Sequence, residues 1–400
     1  MKILLIHQFF IRHDEPGGSR HIELLRFFRE HGHEVRVIAG SVNYMTNRSK
    51  LPFWRPLDTE TDGGITTRWV YALPTLQFGL LGRLLNYLSF FILALPFVLA
   101  EKPDVILATS PPPTVGILGW LLSVFRKVPW ILELRDLWPN VGADSGLIAR
   151  GFLHSLLERI SFSLYQKGSY VVTLTWGLEE TLKKLGVSAK KITTIPNGVD
   201  EMFFSPPNHI FPELAENKFI VMYVGALGEA NKLSTLIDLA EACRNDARIF
   251  FVIAGDGREK KKLETHVLKK SLNNVLFLGS VPREQIPSLL HYADVCLATW
   301  SKGPAFRHVI SNKLFDYMAS GVPVLLVAEE GDAWKILEKA KGGVRTDSED
   351  IAAAQKWLSY FLENPSESKA MGKRGKDYVT LHFRRKNLAL KYVEIFEKLR

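Results

Sequence analysis

Between Gly303 and Val324 the chain gathers Arg307, His308, Ser311, Asn312, Lys313 and Asp316 immediately before and inside a predicted helix over Asn312 to Ala319. Ser311 has the residue type of an N-cap, so the free amides of the first turn and the positive end of the helix dipole face whatever precedes it. An anion is the natural occupant of such a place. Lys313 adds a cation there, Asp316 lies about one turn in and can accept hydrogen bonds from sugar hydroxyls, and Arg307 and His308 stand just ahead. Gly321 ends the helix, and Val322 to Val327 is apolar enough for a buried strand. The same pattern also suits an ordinary amphipathic helix between two strands.

Other loops carry chemistry of the same kind. Gly17-Gly18 opens into a helix after the strand Ile3–His7, letting backbone approach a phosphate or a sugar. Ser110 begins the stiff turn Ser110-Pro-Pro-Pro-Thr114. Arg135, Asp136 and Trp138 converge in Arg135-Asp-Leu-Trp-Pro-Asn140. A carboxylate there suits a base or an orienting group for an acceptor hydroxyl, and Trp138 suits stacking on a sugar or facing lipid. An Arg135/Asp136 ion pair tying loops together is the structural alternative. Gly225 in Val224-Gly-Ala-Leu-Gly228 and Asp256 in Ala254-Gly-Asp-Gly257 follow two further strands. No P-loop, dinucleotide-binding turn, zinc-hydrolase helix, nucleophile elbow or D-x-D metal pair is present. Kinase, dehydrogenase, hydrolase and metal-dependent sugar-transferase readings fall on that ground.

The elements that must position these loops alternate from end to end. Short β-rich runs at Ile3–His7, Val35–Ala39, Thr66–Val70, Val105–Thr109, Trp130–Leu134, Tyr170–Thr175 and Ile192–Ile195 are separated by helical patterns such as His21–His31 and Phe152–Lys167. A second series runs through Phe219–Val224, Ile249–Ala254, Val275–Leu278, Val295–Ala298, Val322–Val327 and Val344. The reading is α/β, with two Rossmann-like parallel-sheet domains and a cleft between them. The expected divisions are 1–200, 201–382 and a terminal helix over 383–400. The join lies in Ile195-Pro-Asn-Gly-Val-Asp200 and the Pro-rich residues that follow.

Composition bounds the partners. Of 400 residues, 46% are apolar and 23% charged, as expected of a globular chain, and the net charge of +9 is shared nearly evenly between the halves. A diffuse excess suits phosphorylated substrates or an anionic membrane surface, and no nucleic-acid module accompanies it. Cys243 and Cys296 lie in core-like segments without metal-type spacing, pointing to a reducing compartment. Met1 leads directly into a strand, without a secretion signal. From Leu84 to Ala100 run seventeen residues without a charge, interrupted by Pro96, and Thr114–Phe125 is a second apolar run. Each falls short of the roughly 20 apolar residues of a spanning helix. Buried helices or a shallow membrane contact over 76–125 are the two readings; the aromatic residues and the flanking cations Arg83, Arg126, Lys127, Arg150 and Arg159 favour the contact.

With these residues in view the chain resembles the retaining family 4 glycosyltransferases of GT-B architecture. Gly17-Gly18, Ile195-Pro-Asn-Gly-Val-Asp200, Val224-Gly225, Ala254-Gly-Asp-Gly257, Phe277-Leu-Gly279, Tyr292-Ala-Asp294 and Lys313 to Val324 carry the likeness over nearly the whole length. Glu133-Leu-Arg-Asp-Leu-Trp-Pro139, Thr109-Ser-Pro-Pro-Pro113 and the apolar 76–125 region are similar to the WbuB-like branch, which acts on polyprenyl-diphosphate-linked intermediates of surface polysaccharides. The chain departs from the family at Ala226 and Asn231, where an arginine and a lysine are usual. It departs again at His308, which stands in place of the first of two glutamates, the second aligning with Asp316.

The resemblance implies a UDP-sugar donor, an N-acetylated or deoxy hexose, with no cofactor and no metal. Its diphosphate would be held by the helix beginning near Asn312, by Lys313 and by the amides of Gly225 and Gly18. Asp316 would bind the ribose, and Gly17, Asp256, Arg307 and Ser311 would complete the donor site. Asp136, Arg135 and His308 would serve catalysis, with Trp138 and Ser110 on the acceptor, a lipid-linked diphosphate at the inner face of the cell membrane. A nucleotide-sugar epimerase, a transferase with a soluble acceptor and a non-catalytic scaffold subunit are the alternatives.

Overall fold

The computed structural model describes residues 1–12, 15, 18, 20–144, 146, 148–214 and 217–400. The chain divides into two compact units. Met1–Pro196 and Lys386–Arg400 form one, and Asn197–Arg385 forms the other.

The first unit is built on an eight-stranded sheet. Its strands are β1 (Lys2–His7), β2 (Glu34–Gly40), β3 (Leu57–Asp62), β4 (Ile65–Val70), β5 (Val105–Ser110), β6 (Trp130–Leu134), β7 (Tyr170–Thr173) and β8 (Ile192–Thr194). They lie in the order β3-β4-β2-β1-β5-β6-β7-β8, with β3 antiparallel to β4 and every other pair parallel. The central strands are buried on both faces, which explains their unbroken Ile, Leu and Val runs. Strand β3, absent from the sequence reading, is the polar hexapeptide LDTETD. It sits at the sheet edge, where charge costs little and deters further strand pairing.

The apolar block forms helices that cover this sheet. Gly79–Ala100 is continuous over 22 residues, longer than the charge-free run and uninterrupted at Pro96, and by length and composition alone it could cross a membrane. Tyr87, Phe90, Ala94 and Val98 of one face are buried in the first unit's core, while Leu81, Leu85, Leu88 and Ile92 are exposed on another. Arg126 does not stand free for lipid headgroups. Its guanidinium caps this helix, donating to the carbonyls of Leu99 at 2.8 Å and Glu101 at 2.9 Å. The terminal segment Lys386–Arg400 packs in the same unit, with Tyr392 and Phe396 edge-on to Phe28 at 6.0 and 5.2 Å between ring centroids.

The second unit has six parallel strands. These are β9 (Phe219–Val224), β10 (Ile249–Ala254), β11 (Val275–Gly279), β12 (Val295–Thr299), β13 (Val324–Val327) and β14 (Gly343–Thr346), in the order β11-β10-β9-β12-β13-β14. In each sheet the strand order reverses at one place, between β1 and β5 and between β9 and β12. Ligands of open parallel sheets bind beyond the carboxyl ends at such points.

Candidate active site

In the second unit the reversal lies beside the Asn312–Ala319 helix. Gly225 follows β9, and the loop after β12 leads through a short 3-10 turn, Pro304–His308, into that helix. Ser311 occupies the N-cap position, but its hydroxyl makes no capping bond. The first-turn amides therefore have no side-chain cap, which leaves the anion-binding character of the terminus intact.

Lys313 reaches across to the end of β9. Its Nζ donates to the Tyr223 hydroxyl at 2.7 Å and to the Asn231 amide oxygen at 2.8 Å, and lies 4.3 Å from the centroid of the Tyr223 ring. Tyr223 and Asn231 in turn both donate to the Ala226 carbonyl. The two positions that lack the family's usual cations thus form the seat of Lys313. Only neutral oxygens hold the ammonium, so burial pushes its pKa down to about 7.

Gly225 has φ +151°, and a Cβ there would stand 3.3 Å from the Lys313 Cε and Nζ. Its expected role needs correction. The Gly225 amide donates to the Ala254 carbonyl at 2.9 Å, so it is not available to a diphosphate, and what the glycine supplies is close approach.

Asp316 is buried one turn into the helix. Burial pushes its carboxyl up to about 7, against the pull of Arg283 and Arg385 and with help from Asp200. Its Oδ1 has no hydrogen-bond partner among the described residues, and the same holds for Asn312 Oδ1 in this helix and Thr299 Oγ1 at the end of β12. Buried acceptors are rarely left so, and two of these three lie on this one helix.

The remaining donor-site expectations fare differently. The Arg307 guanidinium is ion-paired with Glu329 at 3.1 Å, and Glu329 also accepts from the Gly303 amide at 2.9 Å, so Arg307 fastens its loop and is not a free cation for phosphate. His308 Nδ1 lies 3.4 Å from Asp332 Oδ2. Asp256 is exposed and closes its own turn, accepting from the Gly257 amide at 2.7 Å. Gly18 is partly exposed ahead of the Arg20–Glu30 helix, and Gly17 lies outside the described residues.

In the first unit, Arg135 and Asp136 follow β6 and are both partly exposed. Burial raises the Asp136 pKa while Arg135 pulls it down. Trp138 is not a stacking platform. It is 8% exposed, joins the core and meets Tyr87 edge-on at 6.2 Å. Ser110 is likewise buried, and its carbonyl accepts from the Arg135 amide at 3.0 Å, so it shapes the loop from behind.

Behind this loop Glu133 collects Arg20 at 3.2 Å, His21 at 2.7 Å, Thr109 at 3.0 Å and the Tyr392 hydroxyl. Burial opposes its charge, yet Arg20, His21 and Tyr392 hold the carboxyl well below its usual range. Arg20 also donates to the carbonyls of Ile195 and Pro196. The roles of Tyr223, Asn231, Glu329 and Asp332 were not legible in the sequence, where Tyr223 reads as a strand residue and Asn231 as a lost cation. Among the described residues no cluster of three or more His, Cys, Asp or Glu side chains could hold a metal ion.

Comparison with known proteins supplies the family. Residues 18–198 match the model described as "Glycosyl transferase 4-like domain", and residues 206–378 match "Glycosyl transferases group 1". The chain belongs to the GT-B glycosyltransferases of family 4. A relative in Escherichia coli K12, named as a colanic acid biosynthesis glycosyl transferase, WcaI, is 25% identical over 77% of this chain and 78% of its own length. WbjE of Pseudomonas aeruginosa, named as a glycosyltransferase, is 22% identical over 66% of this chain and 67% of its own. Among solved structures, Anabaena HepE in complex with UDP superposes with a TM-score of 0.73 at 17% identity over the full length of both chains, a likeness of fold.

Proposed function

We propose that this glycosyltransferase moves a sugar, an N-acetylated or deoxy hexose, from a UDP-sugar to a polyprenyl-diphosphate-linked acceptor in surface polysaccharide synthesis. Transfer proceeds with retention and without a metal, as in the WbuB-like branch. The observation that carries the donor reading is the terminus of the Asn312–Ala319 helix. It combines uncapped amides, an ammonium held only by neutral oxygens, and buried acceptors at Asn312 and Asp316 without partners. A diphosphate meets the first two, and ribose hydroxyls meet Asp316. Charge grows on the leaving UDP, so a pre-placed ammonium and helix terminus stabilise the transition state more than the ground state.

Asp136 orients or deprotonates the acceptor hydroxyl, burial raising its pKa while Arg135 pulls it down, and Arg135 beside it meets acceptor phosphate. The exposed stripe Leu81, Leu85, Leu88 and Ile92, with Val124, Phe125 and Phe152 also exposed, is the surface assigned to the inner face of the cell membrane. The names of WcaI and HepE's complex with UDP agree with a polysaccharide product and a uridine donor. Calorimetry with UDP, GDP, ADP and dTDP, without added metal, tests the donor class. Selective UDP binding is expected; preference for another nucleotide overturns the donor, and absence of all binding favours a scaffold.

A further inference from the structure

His308 is held in a way that fixes which of its nitrogens a ligand meets. It ends the 3-10 turn Pro304–His308, three residues before the N-cap of the Asn312–Ala319 helix. Its side chain is about one third exposed (35%), yet Nδ1 is buried and lies 3.4 Å from the carboxylate of Asp332, which is 1% exposed. That separation is an ion-pair contact longer than a well-formed hydrogen bond, and Nδ1 has no hydrogen-bond partner among the described residues.

The Asp332 carboxylate is itself well fixed. It is the first residue of the Asp332–Ala340 helix, where the terminus favours negative charge, and Lys335 Nζ stands 3.5 Å away. The turn bearing His308 cannot drift from it. Glu329 clamps Arg307 and the Gly303 amide, and Gly331 lies so close that a Cβ would meet the Arg307 carbonyl at 2.2 Å.

An ionised carboxylate accepts and cannot donate, so the proton of a neutral imidazole facing it belongs on Nδ1, leaving the Nε2 lone pair on the exposed edge. We infer that Asp332 is a positioning residue that locks His308 in the Nδ1–H form and presents Nε2 as an acceptor for a hydroxyl of the donor sugar. This rests on the nucleotide-sugar reading of the neighbouring helix terminus, since the sugar of a bound donor lies next to its diphosphate.

The test uses Asp332→Asn, whose amide can donate to Nδ1 and so favours the opposite tautomer without changing side-chain size. Imidazole 15N spectra, with His308 assigned by loss of its signals in His308→Ala, should show Nδ1–H in the native chain and Nε2–H in Asp332→Asn. Hydrolysis of UDP-N-acetylglucosamine and UDP-glucose, followed as UDP release, should fall in kcat by roughly tenfold to a hundredfold, the usual weight of an orienting partner, while calorimetric UDP affinity is unchanged. His308→Ala and the double variant should lose equally, because Asp332 acts only through the ring. A native Nε2–H ring, spectra unaltered by Asp332→Asn, or losses that multiply in the double variant would overturn the inference. Failure of the native protein to bind UDP would sink the donor reading, while the tautomer spectra would still decide the Asp332–His308 contact.

Discussion

With Lys313 holding the donor diphosphate as proposed, nucleotide binding should depend on pH in a direction set by the burial of its amine. Its pKa, pushed down to about 7 by burial, means that above neutrality the unliganded site carries a neutral amine. A diphosphate prefers the ammonium and should return the pKa toward the ordinary value of about 10.4. Binding then takes up a proton, about 0.9 of one at pH 8, and affinity falls as pH rises through the window between the two pKa values.

From pH 7.5 to pH 9 the expected weakening is about 20-fold, or about 1.8 kcal/mol, and a free pKa one unit higher still leaves about eightfold. Calorimetry of UDP in two buffers of different ionisation enthalpy reads the proton uptake directly. Lys313→Arg, charged throughout this range, should flatten the profile, and Lys313→Met should cost roughly 10- to 100-fold in affinity at pH 7. A native affinity constant from pH 7.5 to 9, with no proton uptake, would refute the assignment of Lys313 to the diphosphate.

Asp316 makes a prediction for stability that runs in the same direction with pH. Its carboxyl is raised to about 7 by burial, so the folded chain loses stability as pH rises from about 4 to 7. Asp316→Asn should be more stable than the native chain by about 2–4 kcal/mol at pH 8 and no more stable near pH 4, read by urea unfolding, while binding UDP more weakly. Replacing Leu85 and Ile92 with Gln should reduce sedimentation with anionic vesicles without lowering Tm, whereas Phe90→Ala, wholly buried, should destabilise the first unit by about 3–5 kcal/mol. Unchanged vesicle binding in the former pair would remove that face from the membrane. Glu133→Leu should cost about 3–5 kcal/mol, since Arg20 would be left charged and buried without its carboxylate; a native-like Tm would show that the cluster is not integral to the first unit.

Much of the architecture is legible in sequence because burial on both faces leaves a continuous apolar run wherever a parallel strand lies. The turns after those strands are marked by glycine and proline for the same local reason, and Ser311, Asn312, Lys313 and Asp316 declare a helix terminus with charge around it. Strand β3 escapes that logic, since an edge strand can be polar, and so does Pro96, whose helix keeps its course through a residue that ordinarily breaks one.

What tertiary structure alone decided was who partners whom. Gly225 reads as a free amide until β10 presents the Ala254 carbonyl to it, and Trp138 reads as a sugar platform until Tyr87 and the core close over it. Asn231 reads as a lost cation until Lys313, 82 positions away, rests on its oxygen. Local sequence sets the type and exposure a residue prefers, but the hydrogen-bond and charge balance of a buried group depends on neighbours that only the folded chain brings within reach. The pKa values of Lys313 and Asp316, and the link between His308 and Asp332, arise entirely at that level.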